Sequence, residues 1–172
     1  MHSGNIDIMN GSASLNHSDI IGDIEHSNGN LIIIDSFIKG NVVHCGGYQK
    51  HHRIQADRTI FEGVVEAKNV HLADSTILGE LIVPVGKLEL SGRNTIGNIT
   101  FRNSETKEAP EFTLSSGNTI TGTVNFRTSP GKLLIEEGAE FVGRIINGSV
   151  EYLKPVRSIA PSDVLYLPPY RS

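Results

Sequence analysis

A glycine followed two residues later by an aliphatic residue returns eight times along this chain, at Gly4, Gly22, Gly40, Gly63, Gly79, Gly97, Gly122 and Gly143. Behind each glycine comes an apolar-x-apolar pair and then a single closing residue: Ile20, Ile38, Ile60, Ile77, Ile96, Ile120 and Phe141. Successive closing residues lie 17 to 24 positions apart. Self-similarity at such a period marks a repeat architecture in which each unit buries its neighbour. The glycine register looks imperfect at Gly63 and Gly97.

Within each unit the apolar period is two, as in Ile99-Thr100-Phe101, Val124-Asn125-Phe126, Leu88-Glu89-Leu90 and Phe112-Thr113-Leu114. That alternation belongs to strands with one buried side. Turn formers separate the strands, among them Asn28-Gly29, Gly46-Gly47, Gly117-Asn118, Pro130-Gly131 and Asn147-Gly148, and no capping box opens a run of helical period. Helix content near zero is expected. Such short strands at so long a repeat cannot form a hairpin meander with every apolar position aligned. Wound as a solenoid they can, with three strands per rung stacked in parallel on the rungs above and below. Face one takes the inward pairs Ile6/Ile8, Ile24/His26, Val42/His44, Val65/Ala67, Leu81/Val83, Ile99/Phe101, Val124/Phe126 and Ile145. Face two takes Ala13/Leu15, Leu31/Ile33, Ile54, Val70/Leu72, Leu88/Leu90, Phe112/Leu114, Leu133/Ile135 and Val150/Tyr152. Face three is the closing column. The spacings do not divide by six, as left-handed acyltransferase helices require. The expected fold is therefore all-β: a right-handed parallel β-helix, a triangular solenoid of about eight rungs and roughly 34 Å. It fills residues 1–153, and 154–172, with Pro155, Pro161, Pro168 and Pro169, form a Pro-rich tail or cap.

Charge narrows the function classes. Fifteen Lys and Arg against 19 Asp and Glu leave a net charge of −4, and there is no Trp, which argues against nucleic acid. The longest aliphatic run, Leu31 to Ile34, is far short of a membrane span, and no signal peptide or anchor is visible. The lone Cys45 fits a reducing, cytoplasmic setting.

Around Lys132-Leu-Leu-Ile-Glu-Glu-Gly-Ala-Glu-Phe-Val-Gly-Arg-Ile-Ile146 the chain resembles the last rungs of bactofilins, the polymer-forming cytoskeletal proteins of bacteria, and the earlier units share their Gly-x-Val…Leu-x-Leu…Ile rhythm. The resemblance spans roughly residues 4 to 150. It implies a right-handed triangular β-helix that assembles end to end into filaments or scaffolds without nucleotide. These rungs are less uniform than the family's, and the repeat starts almost at Gly4, so membrane attachment is not carried over.

The long gaps fall at one corner, between faces one and two: 45–51, 102–111 and 127–132. Insertions at equivalent places often form a binding face, although surface loops also lengthen at little cost. A non-catalytic module binding a carbohydrate or protein there is the alternative function. Outward Ile32, Ile34 and Phe37, beside Val43 and Tyr48, form a candidate partner surface. His44, Cys45, His51 and His52 invite a metal reading, but the spacing fits no zinc pattern, so His26 and His44 are expected to line the corner on backbone groups and no metal is assigned. Asp35, Asp57 and Asp74, each three residues before a closing Ile, are expected to stack, each bonding its own turn with Arg58 screening them. No nucleophile-base set exists, and Glu136 and Glu137 are placed on opposite sides of a strand. No enzyme or cofactor is expected.

A solenoid end exposes unpaired backbone and inward apolar residues. Leu165, Leu167 and Tyr170 could cover the C-terminal end, whereas Ile6, Ile8, Ala13 and Leu15 would leave the N-terminal end open. Self-association through that end is expected, as a head-to-head dimer or, with both ends in use, a filament.

Overall fold

The computed structural model describes residues 1–45, 52–84, 87–102 and 109–153. Among them the chain is all strand, with 22 strands and no helix. The strands wind through eight turns. The first four turns are β1 (His2–Ser3), β2 (Ile6–Ile8), β3 (Ala13–Asn16); β4 (Asp19–Ile21), β5 (Ile24–His26), β6 (Leu31–Ile34); β7 (Phe37–Lys39), β8 (Val42–His44), β9 (Ile54–Asp57); and β10 (Ile60–Phe61), β11 (Val65–Ala67), β12 (Val70–Ala73). The fifth and sixth use only two strands each: β13 (Thr76–Val83) with β14 (Leu88–Ser91), and β15 (Thr95–Phe101) with β16 (Glu111–Leu114). The last two are β17 (Thr119–Ile120), β18 (Thr123–Phe126), β19 (Gly131–Ile135) and β20 (Glu140–Phe141), β21 (Arg144–Ile146), β22 (Gly148–Tyr152). Every strand pair is parallel, and each turn lies on the next, so the molecule is a parallel β-solenoid.

Period two decides which residues are inside. Ile24, Val42, Val65, Leu81, Ile99 and Val124 on face one, with Leu31, Ile33, Ile54, Leu72, Leu114 and Leu133 on face two, are at most 1% exposed. Burying each such side chain contributes about 1.5–3 kcal/mol before the entropy of ordering is subtracted. The recurring glycines form one stacked column. A Cβ on Gly22, Gly40, Gly63 or Gly143 would run into the carbonyl of Gly4, Gly22, Gly40 or Gly122 in the turn before. Gly63 and Gly97 stack with the rest, the latter under Leu78 and Gly79, so their apparent misregister disappears in three dimensions.

Face three departs from the expected register at one place. Phe61, not Ile60, is the third closing residue: Phe61 is wholly buried between Ile38 and Ile77, and Ile60 is 42% exposed. The corner before face three is a column of residues in left-handed conformation, His17, Asp35, Arg58 and Asp74, continued by Gly92, Gly117 and Gly138. Its third-turn member is therefore Arg58 and not Asp57. Opposite charges alternate there, with Arg58 Nε and Nη2 donating to Asp35 at 2.6 and 3.0 Å. That pair holds the Asp35 carboxyl below its ordinary range.

Behind this corner runs a buried polar ladder. The N–H of Ser18 donates to Ser36 Oγ, Thr59 to Ser75 Oγ, Ser75 to Asn94 Oδ1 and Asn94 to Asn118 Oδ1, at 2.9 to 3.1 Å. Further boundaries also move. Gly131 and Gly148 are not turn residues but open β19 and β22, where a Cβ would strike the Phe126 ring. Glu136 and Glu137 lie in the turn after β19 instead of on a strand.

Candidate functional site

The first turn is an edge. Among the described residues β1, β2 and β3 pair only with β4, β5 and β6, so alternate backbone groups of all three face away from the molecule unpaired. Ile6, Ile8, Ala13 and Leu15 point inward onto the core but are only partly buried, whereas Ile24, His26, Leu31 and Ile33 above them are at most 1% exposed. An apolar floor rimmed by free strand edges results. Asn5 Oδ1 accepts from the N–H of Asp23, and Asp23 Oδ1 from that of Asn41, so side-chain bonds align these turns outside the ladder as well.

The four described members of the expected partner surface do not share a face. Ile32 and Ile34 point out from β6 between Ser14 and Asn16 on one side and Gln55 and Asp57 on the other. Phe37 lies on β7 between Asp19 and Ile60, and Val43 on β8 between Glu25 and Glu66. Tyr48 lies outside the described residues. The exposed apolar neighbours are instead on face three, where Phe37 stands beside Ile60, which is 42% exposed, and where Ile21 and Leu78 are 39 and 59% exposed. Placing Ile60 inside concealed this patch in the sequence.

The three long gaps do open at one corner, between β8 and β9, β15 and β16, and β18 and β19, but Glu111 belongs to β16, and Gly131 and Lys132 to β19. Next to the second gap face two is split. β14 ends a five-stranded sheet, β16 begins a three-stranded one, and the two are not paired. A cavity of about 310 Å³ occupies the split, lined by Lys87, Leu88, Phe101, Glu111, Phe112 and Phe126 among others. Phe101 stacks on Phe126 at 5.2 Å and tilts against Phe112 at 5.4 Å. Three rings in one corner take more room than the aliphatic pairs elsewhere, and Leu88 and Leu90 remain half-buried where Val70 and Leu72 are covered. The rim charges are already engaged: Lys87 pairs with Glu89 at 2.6 Å, which lowers the Glu89 carboxyl, and Glu111 with Lys132 at 3.8 Å.

Of the residues considered for a metal, His44 donates from Nε2 to the Gly29 carbonyl, His52 accepts from the Gly29 N–H, and Cys45 is exposed. His51 lies outside the described residues. Among the described residues no three His, Cys, Asp or Glu side chains converge to hold an ion, and no helix is long and apolar enough to cross a membrane. No protein-family model, curated protein or solved structure matches this chain.

Proposed function

We propose that this protein is a structural scaffold that self-associates through the open end of its solenoid, as the resemblance to bactofilins implies. The observation that carries the reading is the first turn: free strand edges around the half-covered Ile6, Ile8, Ala13 and Leu15. A second copy seated there would complete the ladder and bury the apolar floor, and strand edges left open are the usual templates for such pairing. Two copies meeting by this end close as a dimer, while use of both ends propagates a filament. Light scattering over a concentration series tests it. The wild type is expected to form concentration-dependent oligomers, and Ile6→Asp with Ile8→Asp to remain monomeric with its strand signal in circular dichroism intact. A wild type that is monomeric at every concentration overturns the proposal. The cavity between β14 and β16 favours a second reading, a module that binds a ligand at the corner of faces one and two. A monomeric protein whose ligand binding is lost on Phe112→Ala would favour it.

A further inference from the structure

The inward positions of face one are apolar in every turn but the second and third, where His26 and His44 stand. His26 is wholly buried and His44 is 2% exposed. They pair directly across β5 and β8, with ring centroids 5.0 Å apart. Nε2 of His26 lies 2.8 Å from the Gly11 carbonyl, and Nε2 of His44 lies 2.9 Å from that of Gly29. A carbonyl oxygen only accepts, so each Nε2 carries the proton and each Nδ1 is the bare nitrogen. Both Nδ1 atoms are buried without a hydrogen-bond partner. Gly29 is held from its other side by His52, whose Nδ1 accepts its N–H at 3.1 Å. Three imidazoles thus fasten the corner of the first three turns through two backbone glycines.

No carboxylate faces the pair to balance a further proton's charge, and the backbone carbonyls of Gly29 and His44 offset the burial of His44 only in part. Inside stand Ile8 on β2 and Ala67 on β11, in register with the pair, and the apolar Leu31, Ile33, Ile54 and Ala56 of β6 and β9. Asp7, Glu25 and Glu66 alternate to the outside of their strands, where Glu66 meets Arg102. At the corner Lys68 and Cys45 are exposed, and Arg53 bonds Gln55. The charges that act on His44 are the other two imidazoles.

We propose that the buried His26–His44 pair is a pH-sensitive latch, which holds turns one to three shut at neutral pH and lets them open on acidification while the later turns hold. A proton added at Nδ1 would place a charge without a counter-ion in the core, 5.0 Å from a second imidazole. Burial already pushes His44 below the ordinary histidine range. The folded turn therefore binds fewer protons than the opened one. Its stability is fully present above a pH of about 6.5 and falls as the pH drops below that value. A histidine kept neutral until its turn opens makes opening up to about 30-fold more favourable at pH 5.0 than at pH 7.5. Because these turns carry the open edge, acid would also dissolve the assembly, a consequence that rests on the scaffold reading.

Hydrogen exchange on the full chain at pH 7.5 and 5.0, corrected for intrinsic rates, tests the latch. Protection of β2, β5 and β8 is expected to fall about ten- to thirtyfold relative to β18 and β19. No fall, or an equal fall throughout, overturns it. His26→Gln with His44→Gln keeps an N–H donor on each side chain without a titrating group, and the pH effect should vanish; its persistence also overturns the latch. If that variant does not fold, the wild-type comparison still decides. Parallel light scattering separates the two readings. Oligomers that dissociate at pH 5.0 support the link, oligomers that survive with protection lost reject it, and a protein monomeric at both pH values with protection lost keeps the latch and rejects the scaffold.

Discussion

Ile60 and Phe61 occupy the same strand and have opposite surroundings: the first meets water and Phe37, the second fills the core between Ile38 and Ile77. Phe61→Ala should cost about 3–5 kcal/mol through the cavity it leaves. Ile60→Asp should stay within about 0.5 kcal/mol, as exposed substitutions do. Urea denaturation of both variants checks this, and equal costs would refute the register. An isoleucine column made Ile60 the natural choice in the sequence. The clue that favours Phe61 was present, since Ser18, Ser36, Thr59, Ser75, Asn94 and Asn118 each stand two residues before an inward closing residue. Buried polar residues carry no apolar period, so the apolar pattern alone does not contain it. Gly131 and Gly148 misled differently. They resemble turn formers but exist to leave room for the Phe126 ring, which only packing reveals. The stacked column is stricter still: Gly63→Ala drives a methyl into the Gly40 carbonyl and should cost about 1–3 kcal/mol in the same denaturation assay.

At the scale of elements, each short strand is too weak to stand alone, and side-chain ladders set its register. The inner and outer ladders differ in solvent. Asn94 is 1% exposed, accepts from the Ser75 N–H and donates to the Ser91 carbonyl at 2.8 Å and to Asn118 Oδ1 at 2.8 Å. Asn98 is exposed and accepts from the Thr123 N–H. Asn94→Ala should cost about 2–4 kcal/mol, because its orphaned partners are sealed from water, and Asn98→Ala less than about 1 kcal/mol, because water replaces it. Thermal melts of the two variants should separate them clearly. Most strands were legible as apolar-x-apolar triplets. The fusion of two faces in β13 and β15 was not, since Gly79 and Gly97 recur there like the glycines at which the other turns break. The register there shifts between Ile77 and Glu80, so the chain rounds the corner without leaving the ladder. The split between β14 and β16 was equally hidden. Leu88/Leu90 and Phe112/Leu114 carry the same pattern as every other pair, and only the convergence of three phenylalanine rings parts them.

Across the whole molecule, stability is close to a sum of turns and the contacts between neighbouring turns, so the weakest junction decides where the rod opens. Every other pair of consecutive turns is bonded on all three faces, whereas turns five and six are bonded only through β13 and β15. Those two long strands hold the junction together, but the facing edges of β14 and β16 gain no backbone bonds from one another. Exchange at these edges should therefore need no opening of the rod. Native-state hydrogen exchange at pH 7.5 is expected to show amides of β14 and β16 that point into the split exchanging at least tenfold faster than the equivalent amides of β12 and β19, which sit between paired strands. Leu88→Ala, at the half-covered edge, should lower stability by about 1 kcal/mol, against the 2–5 kcal/mol expected of Leu72→Ala in the closed part of the same face. Uniform protection along face two, with equal losses for the two leucines, would show that the split closes in solution.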